Sequence, residues 1–107
     1  MQLSERKEYM VRHIVVWRIA DGENKQERAE AIKENLEALK DKIDELVDIE
    51  VGLNFNETES ASDVVLVSTF KSKEDLEIYQ NHPEHKAVGA NYVRPYVKER
   101  RVVDYEF

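Results

Sequence analysis

The chain has 107 residues with 41% hydrophobic and 36% charged side chains, which predicts one domain with its own core. The lack of cysteine excludes disulfides and thiolate chemistry, and the net charge of −7 argues against a nucleic-acid surface. No apolar run reaches the ~18 residues of a membrane span, and the polar start lacks the apolar core of a signal peptide. We therefore expect a cytoplasmic protein with neither nucleic-acid nor membrane partners.

The first half of the chain predicts a strand, a long helix and a second strand. Residues 1–8 are charged and aperiodic, and we expect a loose arm there, ahead of a domain at residues 9–107. Residues 9–19 are apolar on both faces, which is typical of a central strand covered on both sides. A capping box at Asn24 then predicts a helix of about six turns, with an apolar stripe from Ala29 to Leu46. Residues 47–56 alternate between apolar and polar, as in a strand with one wet face.

The second half predicts another buried strand, two short helices and a closing strand. Residues 63–70 are again apolar on both faces. Ser72 is placed to cap a helix that ends at His82, because a residue before proline is pushed out of the helical region. Pro83 suits the first turn of a following helix. Residues 99–107 alternate and predict a half-wet strand.

The element order β-α-β-β-α-β, with strands one and three buried on both sides, predicts an α+β fold of the ferredoxin-like type. Its antiparallel four-stranded sheet has the order 4-1-3-2, with both helices on one face. We expect the other face to carry the apolar first-strand residues Val11, Val15, Trp17 and Ile19. A soluble monomer does not leave such a patch bare. The sequence therefore predicts a homodimer that packs through the open sheet face.

The three histidines are the candidates for chemistry: His13, His82 and His85. The first turn of a helix begun by Pro83 disfavours a charged imidazole, so His85 is expected to be neutral and able to accept a proton. Beside the Tyr79 hydroxyl it would form a base with an oxyanion partner. In the alternative, His82 caps the helix, His85 lies at the surface and Tyr79 belongs to the core. His13 is either a hydrogen-bonded core residue or a ligand contact.

Three features stand out along the chain: the first strand at residues 11–17, the long amphipathic helix, and the step Tyr79…His82-Pro83-Glu84-His85. Together they resemble the stress-responsive A/B barrel domain (Dabb) family, over about residues 10–107. The resemblance implies a dimeric α+β barrel with a cavity between sheet and helices. In a plant polyketide cyclase of that family, the counterparts of Tyr79 and His85 carry out an aldol condensation, and that of His13 lines the cavity. The helix at residues 29–46 departs from that enzyme because it has no aromatic residue.

Three functions remain open at this stage. The first is a homodimeric small-molecule-binding protein with no assigned reaction, its pocket formed by His13, Val15, Trp17, Leu53, Tyr79, His82 and His85. The second is a lyase or cyclase acting on a small carbonyl or polyketide compound, with His85 as base and Tyr79 as oxyanion donor. The third is a non-catalytic, stable assembly protein in a stress response.

A zinc site is a further alternative, since His82 and His85 are close in sequence and His13 could approach them. Pro83 directs the side chains of His82 and His85 apart, and no fourth ligand is evident. We therefore predict neither a metal nor a cofactor.

Overall fold

One antiparallel sheet organises the chain in the computed structural model, which describes residues 9–107; the predicted arm at residues 1–8 lies outside the described residues. The elements are β1 (Val11–Ile19), α1 (Lys25–Glu37), β2 (Asp48–Leu53), β3 (Val64–Phe70), α2 (Lys73–Asn81), α3 (Pro83–Val88) and β4 (Val97–Glu106). The strands are ordered β2-β3-β1-β4. This is the predicted order 4-1-3-2, and the ferredoxin-like α+β fold with helices on one face is confirmed.

The two faces of β1 are assigned the opposite way from the prediction. Val11, Val15, Trp17 and Ile19 belong to the core shared with the helices, and none is more than 5% exposed in the single chain. The expectation that they face the open side is therefore wrong. The even-numbered residues lie there instead, and Ile14 stands between Val67 of β3 and Val103 of β4. Because both faces are apolar, alternation alone could not decide which one the helices cover.

The apolar stripe at residues 29–46 is buried as predicted, but the segment is not one helix. α1 ends at Glu37, and a 3₁₀ turn at Ala38–Asp41 follows it. Leu39 and Leu46 are still at most 2% exposed. The prediction of a capping box at Asn24 is also wrong, because the Asn24 side chain makes no capping hydrogen bond. The stripe thus predicted burial correctly and overestimated the helix length.

Local hydrogen bonds explain where other elements begin and end. β2 ends earlier than predicted because Asn54 exchanges side-chain hydrogen bonds with the backbone of Asn56, which turns the chain. Ser72 caps α2 as predicted, since its hydroxyl accepts a hydrogen bond from the backbone N–H of Asp75 at 3.0 Å. β4 begins at Val97, before the predicted start, with a register shift beside Ile19. No helix within residues 9–107 is both long enough and apolar enough to cross a membrane.

Candidate functional site

A cavity of about 300 Å³ lies between the helix-covered face of the sheet and the helices. Its apolar walls come from β1, β3, β4, α1 and the segment after α3, and consist of Val15, Trp17, Leu36, Leu66, Val93 and Val97. Its titratable and charged side chains are His13, His85, Arg94 and Arg100. Apolar walls with a few convergent polar groups are typical of small-molecule sites.

His13 is oriented by the neighbouring strand. The register of β1 and β4 sets it opposite Asp104, and its Nδ1 donates a hydrogen bond to Asp104 Oδ1 at 2.5 Å. The Ser68 hydroxyl donates to the backbone oxygen of His13 at 3.2 Å. Since the Nδ1 proton is committed to Asp104, Nε2 is the ring atom available to the cavity. A carboxylate orients the imidazole of catalytic histidines in the same manner.

His85 is held neutral with its Nε2 unused. Its Nδ1 lies 3.2 Å from the backbone oxygen of Gln80, which can only accept, so the ring proton is on Nδ1. Burial lowers the pKa of His85 below its usual 6.5; the bond to Gln80 opposes this shift, and His13, Arg100 and Arg94 add to it. Burial is the main cause of the lowered pKa, whereas the sequence analysis attributed the neutral state of His85 to the helix end. A neutral His85 can accept a proton at Nε2 near pH 7.

Tyr79 packs against His85 and does not itself line the cavity. The centroid of its ring lies 4.5 Å from that of His85 and 5.0 Å from that of Phe70, and the residue is fully buried. Burial raises the pKa of the Tyr79 hydroxyl, which therefore stays protonated. Among residues 9–107 this hydroxyl has no hydrogen-bond partner. Tyr79 thus keeps an unused donor next to the candidate base.

Besides Tyr79, two further residues predicted to form the pocket lie elsewhere. Leu53 is on β2 opposite Val64, and β3 separates it from β1. The His82 ring caps α3, because its Nδ1 accepts a hydrogen bond from the backbone N–H of Glu84 at 3.1 Å. The structure therefore brings His13, Val15, Trp17 and His85 to one cavity and leaves Leu53, Tyr79 and His82 outside its lining.

Three charged residues of the site were missed from the sequence. Asp104 and Arg100 follow from the β1–β4 register, which sets them opposite His13 and Trp17 on the covered face. Arg94 reaches the cavity through a π turn at Gly89–Val93, in which its backbone N–H bonds to the Gly89 oxygen at 2.8 Å. Alternation in β4 could have indicated the first two residues, whereas no sequence signal marks the π turn.

The histidines do not form a metal site together. His82 is used as a helix cap, while His13 and His85 line the cavity. In the part of the chain that the structure describes, no three His, Cys, Asp or Glu side chains are grouped so that they could hold a metal ion.

Comparisons with known structures agree with this fold. The chain is similar to a dimeric protein of unknown function with a ferredoxin-like fold from Bacteroides fragilis, at 38% identity over 92% of this chain and 96% of that chain, with a TM-score of 0.81. A dimeric ferredoxin-like protein of unknown function from Thermobifida fusca is 24% identical over 94% and 93%, with a TM-score of 0.81. The hydroxynitrile lyase of Passiflora edulis is 19% identical over 94% and 95%, also with a TM-score of 0.81.

The family comparison covers nearly the whole chain. No protein with a curated functional description matches this chain in sequence. The model of the stress-responsive A/B barrel domain family matches residues 11–107, which include all four strands and every residue of the cavity. The chain therefore belongs to the stress-responsive A/B barrel domain family.

Proposed function

We propose that this protein is a lyase-type enzyme that moves a proton on a small carbonyl compound bound in the cavity, with His85 as the base. One observation carries the proposal. The Nδ1 atoms of His13 and His85 are each committed to a hydrogen bond, so that two imidazoles offer Nε2 to the same largely apolar cavity.

The chemistry follows from the state of each group. Neutral His85 takes a proton from the carbon next to the carbonyl, and the electron pair of that C–H bond moves onto the carbonyl oxygen. The Tyr79 hydroxyl is protonated and unpartnered within the described residues, and its ring packs directly behind that of His85; the proposal requires the bound substrate to reach this hydroxyl beside the His85 ring, where it would donate a hydrogen bond to the developing oxyanion. Return of the proton from His85 to the carbon completes an exchange. In an aldol-type reaction, the carbanion instead attacks a second carbonyl and forms a C–C bond, and the resulting alkoxide takes the proton from His85.

The volume of the cavity favours a small substrate. About 300 Å³ lies at the lower end of the range for small-molecule sites, which suits a compact carbonyl compound better than a long polyketide. The resemblance to a plant polyketide cyclase stays a prediction. The hydroxynitrile lyase of Passiflora edulis is an example of a lyase on this fold, and at 19% identity its likeness extends to the fold alone.

The proposal is tested by hydrogen–deuterium exchange at the carbons beside the carbonyl of cyclohexanone, followed by NMR in D₂O. We expect the wild-type protein to accelerate exchange and His85→Gln to lose about 100-fold of that acceleration, the usual minimum contribution of a general base. His82→Asn is the matched control, because it removes the capping imidazole outside the cavity and keeps a capping side chain. Equal exchange rates for wild type and His85→Gln would overturn the proposal.

We also propose that two copies pack through their open sheet faces. The centre of this face is an apolar stripe of half-buried and exposed side chains: Ile14, Val16, Val65, Val67 and Val103. A continuous apolar stripe on a sheet is normally covered by a partner. The dimeric proteins from Bacteroides fragilis and Thermobifida fusca share this fold and support the assignment.

A further inference from the structure

We infer that the ligand of this cavity is a small hydrophobic carboxylate whose carboxylate group is bound by Arg94 and Arg100. The inference rests on the proposed function, because it names the substrate class of the same site. The substrate would then carry a carbonyl that reacts at His85 and a carboxylate that orients it.

The two guanidiniums differ from the other arginines of β1, α1 and β4. Neither Arg94 nor Arg100 has a carboxylate within 4.0 Å among the described residues. The other arginines already have partners. Arg18 and Arg101 pair with Glu99. Arg12 and Arg28 each stack on an aromatic ring. Arg94 and Arg100 are exposed and still line the cavity, so they stand at its mouth.

Trp17 is a wall residue with an unused donor of its own. Trp17 lines the wall and is 5% exposed, and its indole Nε1 is buried without a hydrogen-bond partner in the described part of the chain. The one carboxylate next to His13, that of Asp104, is already bonded to the His13 ring. Apart from the Nε2 atoms of His13 and His85, which accept hydrogen bonds, the free charged groups that line the cavity are the two guanidiniums, and a ligand must supply acceptors for them.

A carboxylate fits this donor set and the walls together. Guanidinium binds carboxylates through two parallel hydrogen bonds, which are stronger than neutral ones. The remaining wall is apolar, with Leu36, Leu66 and Val93 among its members, so the rest of the ligand is hydrophobic. Inorganic phosphate would satisfy the guanidiniums and leave these walls empty.

The test uses the fluorescence of Trp17, which is the single tryptophan of the chain and lines the cavity. The probes are cyclohexanecarboxylate and its neutral isostere, cyclohexanecarboxamide. We expect the carboxylate to bind about tenfold or more tightly than the amide, because it alone makes charge-assisted hydrogen bonds. Inorganic phosphate should bind weakly and should not displace it.

Single variants assign the effect to the two arginines. Arg94→Gln and Arg100→Gln should each weaken carboxylate binding about tenfold and leave the amide unaffected. Lys98→Gln is the control, because it removes the same charge from β4 at a side chain that pairs with Asp21 at 3.2 Å outside the cavity. It should leave both affinities unchanged.

Other results would overturn the inference, and they can be told apart from a failure of the proposed function. Equal binding of acid and amide would reject the carboxylate while supporting a small-molecule cavity. Unchanged carboxylate affinity in both arginine variants, or equal competition by phosphate, would reject the inference as well. If neither probe binds, the substrate class is wrong, and the cyclohexanone exchange experiment, whose substrate is uncharged, decides the proposed function separately.

Discussion

The two faces of β1 have nearly the same hydropathy and different surroundings. The covered face carries His13, Val15 and Trp17 against the helices, whereas the open face carries Ile14 and Val16 with arginines near both ends. On the covered face, polar groups are buried next to a cavity; on the open face, the apolar stripe borders solvent in the single chain. The buried polar residue His13 thus lies on the side of β1 that borders the cavity, while the apolar pattern itself indicated only burial.

The largest expected effect concerns the open face. Ile14→Asp places a charge at the centre of the apolar stripe, between Val67 and Val103, and leaves the covered core unaltered. An uncompensated charge in a buried interface costs about 3–5 kcal/mol, so we expect a folded monomer by sedimentation and circular dichroism. Ile14→Val should remain dimeric. A dimeric Ile14→Asp variant would show that the copies do not pack through this face.

The next effect separates the ring of Tyr79 from its hydroxyl. Tyr79→Ala removes a fully buried ring between Phe70 and His85 and should cost about 3–5 kcal/mol of unfolding free energy in urea. Tyr79→Phe removes only a hydroxyl without a partner in the described residues, so stability should be unchanged or rise by about 1 kcal/mol.

The same Tyr79→Phe variant should lose the acceleration of cyclohexanone exchange, because the proposed oxyanion donor is missing. Full activity with wild-type stability would leave the hydroxyl without the assigned role. A large loss of stability would instead mean that the hydroxyl has a structural hydrogen bond.

The sequence predicted the strand order because residues 9–19 and 63–70 are apolar on both faces, which is typical of central strands that are covered on both sides. It predicted the break at Pro83 because the backbone restriction before proline is local. It could not assign the faces of β1, since both are apolar and the choice depends on how the helices pack. The length of α1 was overestimated for a similar reason: Leu39 and Leu46 are buried at helical spacing although the chain is not helical throughout.

Local spacing predicted only the pairing of Tyr79 with His85, whereas the grouping of His13 with them came from the family resemblance. Tyr79 and His85 are separated by one helix end, and their contact follows from the break at Pro83. Asp104 and Arg100 come from β4, so their positions depend on a strand register that involves residues far apart in the chain. Arg94 depends on a π turn, whose formation is a property of the packed helices rather than of any motif.

A smaller effect is the dependence of stability on pH. Burial lowers the pKa of His85 from 6.5, so below about pH 6.5 the unfolded chain binds more protons at this residue than the folded chain. His85 therefore does not affect stability above that pH and destabilises the fold increasingly as the pH falls. We expect the unfolding free energy of wild type to fall more steeply with acidification than that of His85→Gln. Parallel curves would mean that His85 is solvated in the folded protein.

The smallest expected change in stability is at Gly89, where Arg94 lies against the backbone. A Cβ at this position would be 2.9 Å from Nη1 of Arg94, so Gly89→Ala must displace the guanidinium, which can move because it ends a flexible side chain. The backbone of Gly89 is helical, with φ −58° and ψ −44°, and alanine favours such a backbone by about 0.5–1 kcal/mol. We therefore expect Gly89→Ala to unfold at the same or a slightly higher urea concentration and to bind cyclohexanecarboxylate several-fold more weakly. If the Arg94 guanidinium is part of the site, the substitution raises or preserves stability while it lowers the affinity for the carboxylate. Unchanged carboxylate binding would mean that Arg94 does not need this position to hold a ligand.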